Sequence, residues 1–161
     1  MMRGTATTGN TGKKRILLIS SCGGHWVQMN RIVPAFQNHD LYFSSTDFDY
    51  MSLVPEGRFY CVPDGSRNSN PFHIVHLALA VLRMMLQIRP HVVVTTGAAP
   101  GFFALFIGKL LRKKTIWIDS IANVNELSMS GRKAAWFADL YITQWPHLAQ
   151  ENGPHYYGSV V

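Results

Sequence analysis

The chain has 161 residues, 47% of them hydrophobic and only 15% charged, enough for a domain with a core of its own and too apolar for a disordered segment. Fifteen Lys and Arg against nine Asp and Glu leave a net charge of +6, which favours phosphate-rich partners: nucleotide sugars, nucleic acid or an anionic membrane surface. The bases fall in short clusters (Lys13-Lys14-Arg15, Arg112-Lys113-Lys114, Arg132-Lys133), and the lack of one long stripe argues against nucleic acid.

Residues 1–13 are polar and rich in Gly and Thr; they read as a flexible tail without the apolar core of a signal peptide. RILLIS (15–20) reads as a buried strand, and residues 25–37 as a helix interrupted near Pro34. DLYFSS (40–45) and RFYCVP (58–63) are the second and third strands, and DGSRNSNP (64–71) is a loop of turn formers. Residues 72–88 form a strongly apolar helix. HVVVTT (91–96) is a continuous apolar strand of the kind buried on both faces. A second apolar helix at 101–111 follows, then strands KTIWID (114–119) and DLYITQ (139–144). This alternation predicts an α/β fold over residues 14–161, a doubly wound, mostly parallel, Rossmann-like sheet. No window holds about 18 uninterrupted apolar residues, so no spanning helix is expected. The helices 72–88 and 101–111 are apolar nearly all round. They are either buried core or an apolar face laid on a membrane or partner, beside Arg83, Arg89, Lys109 and Arg112–Lys114.

Cys22 and Cys61 have neither metal-ligand spacing nor the density of a disulfide scaffold, so a reducing, cytoplasmic setting and no metal site are expected.

In a doubly wound sheet the ligand sits beyond the carboxyl ends of the strands. SCGGH, TTGAAPG, DSIANVNELSMSG and QWPH all follow strands there. In SCGGHW, Gly23 and Gly24 let the backbone approach a ligand, and a helix starting near His25 would aim free N–H groups at an anion. His25 could act as general base. The same residues also suit a plain strand-to-helix turn with a capping histidine. The motif is not GxGxxG, so dinucleotide binding is poorly supported. A Cys22–His25 nucleophile pair lacks an evident orienting group. In TTGAAPG, Gly97 and Gly101 bracket a turn, and Thr95 and Thr96 could add hydroxyl contacts; the alternative is close helix-to-strand packing. In the third segment Asp119, Asn123, Asn125, Glu126, Ser128 and Ser130 offer acid and hydrogen-bonding groups. Asp119 or Glu126 could serve as base; the alternative is ordinary loop chemistry, with Ser130 ahead of the helix GRKAAWFA.

SSCGGHWVQM, TTGAAPG, IDSIANVNELSMSGR and ADLYITQWP together resemble, in order and spacing, one glycosyltransferase group. It is the acceptor-side subunit of the split UDP-N-acetylglucosamine transferase that adds the second sugar to dolichol-pyrophosphate-linked N-acetylglucosamine. Its bacterial relatives act in capsule and exopolysaccharide assembly, some with glucuronic acid. The group is also similar to the N-terminal half of the transferase that glycosylates lipid-linked muramyl-pentapeptide. The resemblance spans residues 14–161 and implies the N-terminal domain of a GT-B glycosyltransferase. It implies an inverting transfer to a polyprenyl-diphosphate-linked saccharide at the cytoplasmic membrane face, with the chain bound peripherally. HYYGSVV looks like the last strand before the interdomain crossover, so the UDP-sugar would be held mainly by a separate C-terminal-half subunit, with no further cofactor. Position by position, Gly23, Gly24, Gly97 and Gly101 would lie near the acceptor diphosphate. His25 or Glu126 would be the base, and Thr96, Asn125 and Ser128 would contact the acceptor. Two features depart from the group: a polar tail replaces a membrane-anchoring helix, and Ala98-Ala99 stand where relatives can carry bulkier or polar residues. Two other readings are a non-catalytic scaffold that recruits a catalytic partner to the membrane, and a self-sufficient nucleotide-binding enzyme.

Overall fold

The computed structural model describes residues 12–65 and 70–160. Residues 1–11 of the predicted tail and 66–69 of the turn-rich loop lie outside them. The apolar runs of the sequence become parallel strands: β1 (Arg15–Ile19), β2 (Asp40–Ser45), β3 (Phe59–Cys61), β4 (Val92–Thr95), β5 (Lys114–Ile118) and β6 (Leu140–Thr143). A two-residue strand, β7 (His155–Tyr156), follows them. Four helices connect them: α1 (Gly24–Ile32), α2 (Pro71–Ile88), α3 (Ala98–Leu110) and α4 (Met129–Ala134).

The strand order is β3-β2-β1-β4-β5-β6-β7, with every neighbouring pair parallel. The chain starts at the centre, winds outward to β3, returns beside β1 and winds outward the other way. This is the predicted doubly wound sheet, and its order reverses between β1 and β4.

Residues alternate between two faces along β1. Leu17 and Ile19 face a core made with Leu77, Val81 and Met85 of α2, Ala104 and Leu105 of α3, and Trp117. Ile16 and Leu18 face a second core with Trp26, Met29 and Ile32 of α1. β1 is therefore buried on both sides, as its unbroken apolar run requires.

Pro34 ends α1 as expected, and a 3-10 turn, Val33–Phe36, follows. Boundaries differ from the sequence reading: α1 closes at Ile32 rather than 37, and the third strand covers only Phe59–Cys61 of 58–63. α3 starts at Ala98, three residues before the predicted 101, because Gly97 takes the N-cap with φ 127°. α4 is capped by Ser128 rather than Ser130: the Ser128 hydroxyl accepts from the Gly131 N–H at 2.9 Å.

α2 is capped by Asn70, whose side-chain oxygen accepts from the Phe72 N–H. With 18 residues and a mean hydropathy of 1.5 it is long and apolar enough to cross a membrane. One side of it, Leu77, Val81, Met84, Met85 and Ile88, is nevertheless built into the core.

Candidate functional site

β1 and β4 are adjacent and parallel, so the loops leaving their carboxyl ends emerge side by side. Each runs directly into a helix, the first into α1 at Gly24 and the second into α3 at Ala98. Neither helix has a side-chain cap at its N-terminus. The leading N–H groups of two helices therefore open at the switch point, where dipole and free donors favour an anion.

His25 stands between the two loops. Its Nδ1 lies 2.8 Å from the Thr96 carbonyl oxygen, and the Thr96 hydroxyl donates back to the His25 carbonyl at 2.7 Å. A carbonyl only accepts, so Nδ1 carries the proton of the neutral ring and Nε2 keeps its lone pair. The orienting group that the sequence did not disclose is thus a backbone carbonyl. Among the described residues no hydrogen bond joins the Cys22 thiol to His25, whose Nδ1 is held by Thr96; the backbone N–H of the exposed Cys22 donates to Thr46.

The glycines divide by role. Gly23 (φ 70°) and Gly24 are exposed, and a Cβ on either would meet nothing within 4 Å. At Gly97 (φ 127°) a Cβ would sit 2.8 Å from His25 Cε1. At Gly101 it would press into the Thr95 side chain, so the missing side chain there serves the contact of α3 with β4. Ala98 holds φ 64°, a left-handed conformation costly for a residue with a Cβ, between the two loops and the third segment. Gly97→Ala is expected to lose about 1–3 kcal/mol, because it combines a glycine-only backbone with a clash against the imidazole. That is roughly a 2–10 °C lower Tm for a chain of this size, read by thermal circular dichroism. Gly24→Ala should leave Tm unchanged.

The third segment is organised from below by Asp119, which is 2% exposed. One carboxylate oxygen accepts from Asn123 Nδ2 (3.2 Å) and Trp117 Nε1 (3.4 Å), the other from the Ser128 N–H (2.9 Å). Buried Gln28 of α1 adds a second tie, donating to the Asp119 carbonyl and accepting from the Ile121 N–H. Asp119 is therefore a strut for the loop, its oxygens already engaged. Tyr141 lies beneath it with its hydroxyl buried and without a hydrogen-bond partner among the described residues. Burial, and then the Asp119 charge, push that phenol above its ordinary range against the opposing pull of Arg132. Burial and Asp47 likewise raise the Cys61 thiol, at the end of β3.

These elements enclose two adjoining cavities. The smaller, about 250 Å³, is lined by His25, Ala98, Asn123, Ser128, Met129 and Ser130 among others. The larger, about 550 Å³, is lined by Cys22, Asp64, Ile74, Phe102, Met129 and Lys133 among others, and shares Ala98, Met129 and Ser130 with the first. His25 and Ser128 are thus brought together, with the Ser128 hydroxyl already engaged as a cap. The Thr96 side chain is fully buried and bonded to His25, outside both cavities. Asn125 is exposed, and Glu126 points to solvent, its side chain 76% accessible and paired with Arg132 at 2.9 Å. Neither lines a cavity. Sequence reasoning missed Lys133, which looks like any solvated base of a short helix until α4 turns it to the cleft. Among the described residues no three His, Cys, Asp or Glu side chains converge to hold a metal ion.

A family model described as "Oligosaccharide biosynthesis protein Alg14 like" matches residues 62–160. The chain belongs to this family. The Alg14-like chain is 38% identical over 182 residues to the UDP-N-acetylglucosamine transferase subunit ALG14 of Candida albicans, a match covering 92% of this chain and 83% of that one. It is 39% identical over 74 residues to the subunit of the same name from Eremothecium gossypii, spanning 42% of this chain and 33% of that protein. Among solved structures, Acinetobacter baumannii MurG superposes with a TM-score of 0.72 at 13% identity, over 91% of this chain and 45% of that one. UDP-N-acetylglucosamine 2-epimerase from Rickettsia bellii superposes at 0.68 and 12%, over 92% and 46%. The Alg14-like chain thus shares its fold with something under half of each larger protein.

Proposed function

We propose that this Alg14-like chain is the acceptor-side half of a two-chain inverting glycosyltransferase. The pair would move N-acetylglucosamine or glucuronic acid from a UDP-sugar to a polyprenyl-diphosphate-linked saccharide on the cytoplasmic face of a membrane. One observation carries the reading: two uncapped helix N-termini meet at the switch point of the sheet with a tautomer-fixed histidine between them. The curated relatives, named as transferase subunits, support a partner chain that binds the donor.

In this mechanism the acceptor diphosphate lies across the leading N–H groups of α1 and α3, where helix dipoles offset its charge, with Lys133 at the rim of the adjoining cavity. The acceptor hydroxyl lies at His25 Nε2. As that oxygen attacks the anomeric carbon, Nε2 takes its proton, and the bond to the leaving UDP breaks towards the partner. Glu126 is the weaker choice of base, since it would have to leave Arg132 and turn out of solvent.

The outer side of α2 supports a peripheral membrane seat. Phe72, Val75, Leu79 and Leu86 are exposed on it. α3 packs against both α2 and α4 and adds exposed Phe106 and Leu110, and Trp136 follows α4 at 90% exposure. Arg83 and Lys133 are exposed nearby, while Lys109 is paired with Asp139 at 2.6 Å. A helix with its other side in the core lies on the bilayer rather than through it.

The test is reconstitution of the chain with a C-terminal-half partner, assayed with a UDP-sugar and a short-chain polyprenyl-diphosphate saccharide. The pair is expected to be active and each chain alone inactive. Gly24→Ala, whose Cβ meets only open space, is expected to raise the acceptor KM about 10-fold by holding the diphosphate off the amides. Full activity of the Gly24→Ala and His25→Ala pairs would instead assign the chain a scaffolding role.

A further inference from the structure

We propose that Thr46 and Tyr50 are positioning residues that hold the first glycine loop in its anion-accepting shape. The inference rests on the reading above, that this loop receives the acceptor diphosphate. Both residues lie outside the loop motif, on the segment that follows β2. Thr46 comes directly after the strand, and Tyr50 sits in a 3-10 helix, Phe48–Leu53, whose start is capped by Asp47.

The Cys22 N–H donates to the Thr46 hydroxyl at 3.1 Å, and the Gly23 N–H donates to the Tyr50 hydroxyl at 3.0 Å. The Tyr50 ring is stacked on Trp26, centroids 4.5 Å apart and planes 9° from parallel. Trp26 is itself 4% exposed in the core beneath α1. The hydroxyl that meets Gly23 is thus fixed by a ring that cannot easily move.

The consequence follows from the direction of the N–H groups. Cys22, Gly23 and Gly24 are exposed, and Gly23 holds φ 70° with open space around its Cα. A loop of that kind has many conformations within reach. Thr46 and Tyr50 each take one N–H inward and so define the turn. The N–H groups of Gly24 and His25, next along the chain, lie in the first turn of α1, which no side chain caps. An anion then meets donors already aligned, and the ordering cost of the loop does not fall on binding.

The experiment compares wild type, Tyr50→Phe, Thr46→Val and the conservative Thr46→Ser. Tyr50→Phe keeps the ring on Trp26 and removes only the hydroxyl, so Tm should stay within about 2 °C of wild type. Amide exchange followed by NMR should be at least about 10-fold faster at Gly23 in Tyr50→Phe and at Cys22 in Thr46→Val. Inorganic pyrophosphate, titrated against the Gly24 and His25 amide signals, should bind about 5- to 10-fold more weakly to both variants. In the reconstituted pair the acceptor KM should rise by the same factor with donor KM unchanged, and Thr46→Ser should restore wild-type values. Unchanged pyrophosphate affinity and acceptor KM in Tyr50→Phe and Thr46→Val, with wild type responding to pyrophosphate, would overturn the positioning role alone. No response of the wild-type amides to pyrophosphate would overturn the diphosphate reading and this inference with it.

Discussion

Replacing His25 by asparagine is expected to lower kcat of the reconstituted pair by about 100- to 10,000-fold, the usual range for loss of a positioned general base. Asparagine is the sharper substitution because its amide can still donate to the Thr96 carbonyl, the bond that Nδ1 makes at 2.8 Å. Alanine would leave that carbonyl without its partner and disturb the two loops together. The asparagine variant should therefore keep its Tm and its affinity for the partner chain, and its acceptor KM should change little. A variant turning over within about threefold of wild type would remove His25 from proton transfer and leave that role to the donor-binding chain.

The strands and the first glycine loop were legible from the local pattern, whereas the second loop is shorter than the sequence suggested, because Gly101 falls inside α3 and packs on Thr95. An unbroken apolar run such as RILLI suits a strand covered on both faces, and a glycine pair after it marks a sharp turn into the next element. The third segment was less legible. Its polar residues look equivalent in sequence, but the path of the chain is set by two buried side chains: Asp119, which reaches the Ser128 N–H 9 residues on, and Gln28 of α1, which reaches backbone groups 91 and 93 residues away. That path turns Asn123 and Ser128 to the cavity and leaves Asn125 and Glu126 in solvent. Ser128 and Ser130 are both plausible caps by residue type, and only the Ser128 hydroxyl reaches the Gly131 N–H. The orientation of His25 could not be read at all, because its partner is a main-chain oxygen 71 residues away. Tyr50 was hidden for a similar reason: in sequence it is one aromatic among the polar residues after a strand.

Converting Phe72, Val75 and Leu79 together to serine is expected to release the chain from lipid. These side chains are 82%, 57% and 59% exposed. Each would gain up to about 1.5–3 kcal/mol on full burial, so a face only partly exposed in water still has roughly 3–5 kcal/mol to gain at the bilayer surface. At about 1.4 kcal/mol per factor of ten, the triple variant should partition at least about 100-fold more weakly into vesicles of phosphatidylcholine and phosphatidylglycerol. Cosedimentation reads this directly. Arg83 and Lys133 should add a further, salt-sensitive part that disappears when phosphatidylglycerol is omitted. The fold is not at risk, because the opposite side of α2 carries the core: Leu77→Ser should lower Tm sharply, while the triple variant should not. Unchanged partitioning of the triple variant would mean that α2 does not face lipid. The geometry also links this face to the chemistry. Ile74, one turn into the same helix, lines the larger cavity beside Met129 and Lys133. A helix lying on the membrane would thus hold the cleft at the depth where the diphosphate of a lipid-linked acceptor emerges. The triple variant should therefore lose activity on vesicle-embedded acceptor while keeping it on a short-chain acceptor in detergent.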